Sequence, residues 1–527
     1  MNKFKKTLSI VLAAGLVFST TAVAASADEP YVSYNYDAWN DAIPSQSGYR
    51  VDEVVAGSSM GLDRLSDPDD ELFLSEAASD SLSGASDIYY ESELDEFWVA
   101  DTGNNRILRL DADLNVIGAY DTVSGSDTEN FSSPTGLFVA VTDDGLPLVY
   151  IADTSNARVV RAIAETSTLL TVDQEFVKPE DSALYTSSTF NPTKVLVDST
   201  GNVYAVESSV TEGAVEFASD GEFKGFYGAN RVEVTAAVVA QRVWRMFASN
   251  EQLASMERNV NVEFANFDID SEGFIYTVTE AANTSTDAVK KLNPAGYNIW
   301  DTTTGNEYKF GDLVDFTTAE VDESFETRLT DLVISDNLVI SDNMNINVLD
   351  YESGRIFQYD QENNLLFVFG SKNSTSDQEG TFTAPNAIES RGEKIYVIDG
   401  KKNDITVFTE TQFGKMVHEA ADLYAEGKYE EAKEPWEEVL SRDGGYWMAY
   451  MGLGKAALNE GNYEEAMDYF EYAEDNENYD KAYQYYREEF LSRHFTAIIV
   501  ILLIIIVAIV VWRIIARRKK PKKKGGK

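Results

Sequence analysis

Among 527 residues there are two histidines, His418 and His494, and no cysteine. Thiolate nucleophiles, disulfides and cysteine-based metal sites are therefore excluded. Both histidines fall C-terminal to the strand-rich part of the chain, which leaves that part without a Ser-His triad or a histidine metal site. Oxygen chemistry remains, because 89 Asp and Glu stand against 43 Lys and Arg. Six short apolar runs open at comparable places with Asp87, Gly136, Lys194, Asn266, Asp331 and Ala387, preceded by Ser86, Thr135, Thr193, Ala265, Thr330 and Asn386. Carboxylate and amide oxygens are the ligands of Ca²⁺ or Mg²⁺, so Asp87, Asn266 and Asp331 form a candidate metal set. A wider ligand set is Asp87, Thr135, Lys194, Asn266, Asp331 and Asn386. Against a metal, Lys194 would compete for the same carboxylates, and a hydroxyl that opens a strand commonly satisfies turn backbone. No catalytic residue and no obligate cofactor is expected.

The elements that must position these residues repeat. Between residues 85 and 408, strands recur as Phe97-Trp-Val-Ala-Asp101, Val149-Tyr-Ile-Ala-Asp153, Val203-Tyr-Ala-Val-Glu207, Ile275-Tyr-Thr-Val-Thr279, Ile346-Asn-Val-Leu-Asp350 and Ile395-Tyr-Val-Ile-Asp399. Each is followed by a polar turn and another short strand, such as Arg106-Ile-Leu-Arg-Leu110 or Asp404-Ile-Thr-Val-Phe408. Strands of four to six residues between Gly, Asn and Asp turns predict antiparallel sheet, and four-stranded units repeated at this period predict a β-propeller. The acids that end the strands open turns in which a carboxylate accepts backbone N–H groups; Arg106 and Arg158, five residues after Asp101 and Asp153, are placed to pair with them.

The segments Val99-Ala-Asp-Thr-Gly-Asn-Asn-Arg-Ile107 and Ile151-Ala-Asp-Thr-Ser-Asn-Ala-Arg-Val159 closely resemble the NHL repeat. The resemblance covers about 325 residues and implies an all-β, NHL-like six-bladed propeller over residues 28–410. It also admits an alternative activity, divalent-metal-dependent lactone hydrolysis in the channel, as in the gluconolactonase-type proteins that this fold resembles. The last blade has three strands of its own, and Val51-Asp-Glu-Val-Val-Ala-Gly57 within residues 28–60 is expected to supply the fourth, hiding two sheet edges at once. An insertion at 231–260 carries Val232, Ala236, Val239, Val243 and Met246 at helical spacing. It would pack on the propeller's side or close over the channel.

From Met416 the period changes to that of helices. Gly427, Tyr429, Ala432, Trp436 and Val439 recur 34 residues later as Gly461, Tyr463, Ala466, Phe470 and Ala473, the period of the tetratricopeptide repeat. Residues 411–494 are thus expected to be a small all-α, tetratricopeptide-like unit, with a helix from Asp480 to Phe490 as the start of a third repeat or a cap. Tyr472, Tyr479, Tyr483 and Tyr486 are candidate protein-binding residues.

The two ends give an address. Residues 1–27 combine Lys3, Lys5 and Lys6, an apolar stretch and Ala25-Ser26-Ala27, a secretory signal cut after Ala27. Residues 495–516 form a transmembrane helix, with Ala497–Ala516 in the bilayer, and the basic tail 517–527 is expected to stay cytoplasmic. Residues 1–27 hold three basic residues, residues 497–527 hold nine, and neither holds an acid, so the part between carries −58 against −46 overall. Such a surface excludes nucleic acid and anionic polymers as partners. The whole predicts a single-pass cell-membrane protein on the outer face of a Gram-positive-type bacterium. Its expected role is a scaffold or sensor that binds proteins, a neutral glycan or a small ligand, accessory to a membrane transporter or secretion complex.

Overall fold

The computed structural model describes residues 30–36, 42–179, 185, 187, 189–207, 210, 213–228, 264–279, 288–300, 310–312, 329–335, 344–373 and 378–518. The expected signal segment 1–27, the insertion 231–260 and residues 519–527 lie outside them. The chain divides into two compact units, Met1–Lys415 and Met416–Lys527.

The first unit is a six-bladed β-propeller. Blade 1 comprises Asp87–Glu91, Glu96–Asp101, Arg106–Leu110 and Val116–Tyr120, and blade 2 comprises Pro134–Val141, Pro147–Asp153, Arg158–Ala164 and Leu170–Val177. Blade 3 follows the same order with Pro192–Val197, Val203–Glu207, Ala214–Phe217 and Phe223–Tyr227. Blade 4 has three described strands, Phe264–Ile269, Ile275–Thr279 and Val289–Leu292, and Ile299 N–H bonds the Lys291 carbonyl at 2.8 Å along the outer edge. Blade 5 is built from Leu329–Ser335, Asn345–Asp350, Arg355–Tyr359 and Leu365–Phe369. Blade 6 joins Pro385–Arg391, Lys394–Asp399 and Asp404–Glu410 to an N-terminal strand, Tyr49–Ala56, which runs antiparallel from Asp404↔Ala56 to Glu410↔Tyr49. The ring is therefore closed by residues from both ends of the unit. Ahead of that strand, the short pair Tyr34–Tyr36 and Ala42–Pro44 lies on blade 5, where Asn35 Nδ2 donates to the Leu365 and Leu366 carbonyls at 3.4 Å.

The second strand of each blade explains the apolar runs of the sequence. It is sandwiched between neighbouring blades, so both faces are covered and alternation disappears; Phe97, Trp98, Val99, Ala100 and Asp101 are all fully buried. Interior clusters span adjacent blades, as where Phe97 and Val99 of blade 1 pack with Tyr396 and Ile398 of blade 6.

The second unit is helical: α1 Gln412–Ala425, which begins at the end of the first unit, then α2 Lys433–Arg442, α3 Trp447–Glu460, α4 Tyr463–Tyr472 and α5 Asn476–Arg518. Gly427 and Gly461, the paired glycines of the 34-residue period, sit at φ 75° and 80°. Each ends a helix with a left-handed residue, and the next N–H closes back on Leu423 or Ala457 at 2.8 and 2.9 Å. Trp436 and Phe470 are fully buried beside Ala432 and Ala466. A Cβ at Gly452 would lie 2.2 Å from the Trp436 ring, and one at Gly454 would lie 2.5 Å from Phe470. The cap helix is longer than its expected Asp480–Phe490 span. Asp475 accepts the Asn478 N–H at 3.0 Å as an N-cap, and from there α5 runs 43 residues without a break, about 65 Å. Its C-terminal half is the one described helix long and apolar enough to cross a membrane.

Candidate functional site

The innermost strands of all six blades line a narrow axial cavity of about 40 Å³, bounded by Asp87, Leu137, Lys194, Asp268, Asp331 and Glu389 among others. A strand's side chains alternate, so residues two apart share a face. Asp268 therefore follows Asn266 towards the axis, and Glu389 follows Ala387. Sequence reasoning placed Asp87, Lys194, Asn266 and Asp331 here and missed Asp268 and Glu389, which the same period of two would have found.

These carboxylates join the blades. Asp87 Oδ2 of blade 1 accepts the Leu137 N–H of blade 2 at 2.7 Å. Asp268 Oδ2 of blade 4 accepts Ile334 N–H of blade 5 at 2.8 Å, Asp331 Oδ2 of blade 5 accepts Ile388 N–H of blade 6 at 2.9 Å, and Glu389 Oε2 of blade 6 accepts Tyr90 N–H of blade 1 at 3.0 Å. The preceding positions form a second ring of the same kind. Ser86 donates to the Thr135 carbonyl at 3.0 Å, Thr135 to the Thr193 carbonyl at 2.9 Å, and Asn386 to the Ala85 carbonyl at 2.8 Å. The inner strands of blades 1, 2, 4, 5 and 6 thus each satisfy a backbone group of the next blade that the sheet ladder leaves open.

Lys194 acts differently. Its ammonium reaches from blade 3 to blade 1, 2.5 Å from Asp87 Oδ1 and 3.3 Å from the Ser86 carbonyl. Burial alone would lower its pKa, but the charges of Asp87 and Asp331 outweigh burial and hold it above the ordinary lysine value. Burial pushes Asp331 up to about 6 against the pull of Lys194, with Asp87 adding to the rise. Burial likewise raises Asp87, opposed by Lys194, and raises Glu389 well above the usual carboxylate range, with Asp268 contributing.

The expected metal set is brought together but committed elsewhere. Asp87 spends its oxygens on Lys194 and Leu137. Asn266 donates its amide to Asp331 and turns its carbonyl oxygen to the Phe267 N–H at 2.8 Å. Asp331 accepts from Asn266, Leu332 and Ile388. A divalent ion needs protein oxygens that are not already committed to other donors, and the ammonium already occupies the electrostatic position it would take, so these residues do not fit one. Among the described residues no group of three His, Cys, Asp or Glu is arranged to hold a metal. A cavity of about 40 Å³ admits water-sized occupants, against roughly 300–1,000 Å³ for a small-molecule pocket.

The strand-ending acids accept turn backbone, as their positions predict. Asp101 and Asp153 each accept a loop N–H at 2.8 Å, from Ser83 and Ser132, and pair with Arg106 at 2.7 Å and Arg158 at 2.9 Å. Arg106 extends to the Ser79 and Ser81 carbonyls at 2.8 and 3.1 Å, so the motif of the resemblance is a buried brace between turn and loop. Asp399 accepts Thr383, Lys401 and Lys402 N–H groups, and Asp350 accepts Glu352 N–H and the Ser353 hydroxyl.

The four candidate tyrosines differ in exposure, although Tyr479, Tyr483 and Tyr486 fall at i, i+4 and i+7 on one side of α5. Tyr472 is 71% exposed and stands 5.5 Å from Tyr450, and Tyr483 is 47% exposed. Tyr479 packs on the Ala457–Phe470 cluster, and Tyr486 stacks on Phe490 at 6.3 Å.

Residues 419–483 match the tetratricopeptide repeat family. No curated protein matches the chain. Solved structures with a similar fold include the extracellular domain of a hybrid two-component-system protein from B. thetaiotaomicron (12% identity, TM-score 0.33, 61% of this chain and 33% of that one). Others are the allergen Mala s 1 of Malassezia sympodialis (12%, 0.38, 62% and 93%) and an auxiliary nutrient binding protein from Bacteroides ovatus (10%, 0.38, 72% and 77%). The chain spans about a third of the first of these.

Proposed function

We propose that this protein is a membrane-anchored scaffold or sensor, with its propeller and helical repeats on the outer face of the cell membrane binding a protein of the same membrane. Propellers and tetratricopeptide-like repeats together make a protein-interaction scaffold. The observation that carries the reading is the continuity of α5: the helix that caps the repeats through Ala482 is the helix that enters the apolar segment at Ala497. A binding surface built this way is fixed close to the bilayer with no flexible linker. The inner ring supports a non-catalytic reading, since its polar groups are spent on joining blades. A photo-crosslinker placed at Tyr472 or Tyr483 in the full-length protein should yield a discrete membrane-protein adduct in intact membranes, weakened by alanine at the other tyrosine. No adduct from either position would refute the scaffold reading. Lactone turnover by the full-length protein that requires a divalent ion and is lost on Asp331→Ala would establish the enzymatic alternative in its place.

A further inference from the structure

Near the membrane, α4 and α5 flank an open pocket of about 490 Å³ whose lining includes Glu464, Glu465, Tyr486, Glu489, Phe490, Arg493 and His494. We propose that it binds the headgroup of a zwitterionic phospholipid carrying a primary ammonium, of the phosphatidylethanolamine type. The assignment rests on the reading that α5 crosses the membrane. Depth comes first. His494 lies three residues and Glu489 eight residues before Ala497, or about 5 and 12 Å along the helix axis. A headgroup layer is roughly 5–8 Å thick on each side of the hydrocarbon, so the backbones of Arg493 and His494 sit within it and that of Glu489 about 4 Å beyond its outer edge, from where the side chains of this wall reach back towards it. Phe490, Leu491 and Phe495 are 46%, 46% and 63% exposed just there, as aromatic and apolar residues at a membrane interface are.

The lining then matches both charges of the headgroup. Arg493 uses one nitrogen on Glu489 at 2.5 Å, and a guanidinium has further N–H groups for a phosphate. Glu464 and Glu465 are exposed on α4 at the opposite wall, and Glu464 bonds the Tyr486 hydroxyl. They can take hydrogen bonds from a primary ammonium that a trimethylated one cannot give. Tyr486, Phe490 and His494 supply ring faces, with Phe490 and His494 4.5 Å apart. Three carboxylates against one guanidinium disfavour a purely anionic lipid.

The test is native mass spectrometry of the full-length protein in detergent with equal amounts of phosphatidylethanolamine, phosphatidylcholine and phosphatidylglycerol. Phosphatidylethanolamine should be retained over both others. Glu464→Gln with Glu465→Gln should lower its preference over phosphatidylglycerol about tenfold, the scale of two exposed charge contacts, and Arg493→Gln should lower retention of all three. Free phosphoethanolamine should not displace the bound lipid. Equal retention of phosphatidylethanolamine and either other lipid, displacement by the free headgroup, or a preference unmoved in both variants overturns the proposal. Release of the protein from membranes by alkaline carbonate would instead refute the membrane span on which it rests, so the two failures are distinguishable.

Discussion

Replacing Lys194 by Met removes the only cation described in the axial cavity and leaves Asp87, Asp331, Asp268 and Glu389 around it. The reference cost is already visible in the native protein. Asp331 is held at about 6 instead of 3.8 even with Lys194 present, a penalty of about 3 kcal/mol at neutral pH. Breaking a buried pair by removing one partner costs about 3–5 kcal/mol, and that is the loss expected for Lys194→Met at pH 8. The sign with pH follows from the direction of the shifts. Folding raises Asp87, Asp331 and Glu389, so the stability they permit is present at low pH and is lost as pH rises through their folded values. Without Lys194 those values rise further, and the variant's deficit should shrink to below about 2 kcal/mol by pH 5, where the folded protein takes up the protons. Guanidinium unfolding of the full-length protein in detergent, followed by tryptophan fluorescence at pH 5 and pH 8, measures both numbers. A deficit under about 1 kcal/mol at pH 8, or one as large at pH 5 as at pH 8, would refute the account of the ring.

Three other outcomes follow, two from single positions and one from a deletion. In blade 6, Asp404 stands where blades 1 and 2 have Arg106 and Arg158; burial and the charge of Asp399 push it up to about 6, and its Oδ1 has no partner. Asp404→Asn should stabilise the protein by about 1 kcal/mol at pH 8, discounted for partial exposure, and by nothing at pH 4, because the carboxylate's penalty exists only once it ionises. Ala157 occupies a left-handed position, φ 57°, whose counterparts Asn105 and Asn403 bond the next blade's loop at Ser133 and Gly84 N–H. Ala157→Asn should therefore raise stability by about 1 kcal/mol in thermal unfolding, and a loss would refute the equivalence. Deleting residues 28–60 removes the strand Tyr49–Ala56 and exposes the edge of Asp404–Glu410. Limited proteolysis should then cut within the propeller, and resistance equal to that of the intact chain would contradict closure by that strand.

The blades were legible because their second strands are covered on both sides, which turns alternation into an apolar run, and because each run stops at an acid that serves its turn. The pair Asp101–Arg106 could be read as a contact from spacing alone, since five residues around a tight turn place the two opposite each other in register. The helical unit was legible through Gly427 and Gly461, whose left-handed helix ends fix the period. The start of α5 was misread at Asp480 because the N-cap lies at Asp475, in an acid-rich stretch where one capping carboxylate does not stand out. Nothing in spacing foretold that Tyr34 and Tyr36 would converge with Arg355 on Asp312, a meeting of segments about 280 and 40 residues apart.

The axial residues show why a site is harder to read than a fold. Asp87, Asn266 and Asp331 have the types and the periodic placement of a cation site, and the ring does bring Asn266 and Asp331 into contact. What decides between a metal and a structural role is the remaining valence of each oxygen, and that depends on the neighbouring blade's backbone. A propeller's inner strands are parallel to one another around the axis without forming a common sheet, so their facing N–H groups need acceptors from side chains. Carboxylates on blades 1, 4, 5 and 6 meet that need, and the same placement would serve an ion. Lys194 adds to this, because a fixed ammonium neutralises part of the charge that would draw a cation in, but the committed oxygens exclude an ion even without it. On this reasoning, Lys194→Met that also gained divalent-ion binding would mean that the ring is a metal site held closed by one lysine. Unchanged stability on Ca²⁺ titration of that variant is the expected result, since Asp87 and Asp331 still accept Leu137 and Ile388 N–H.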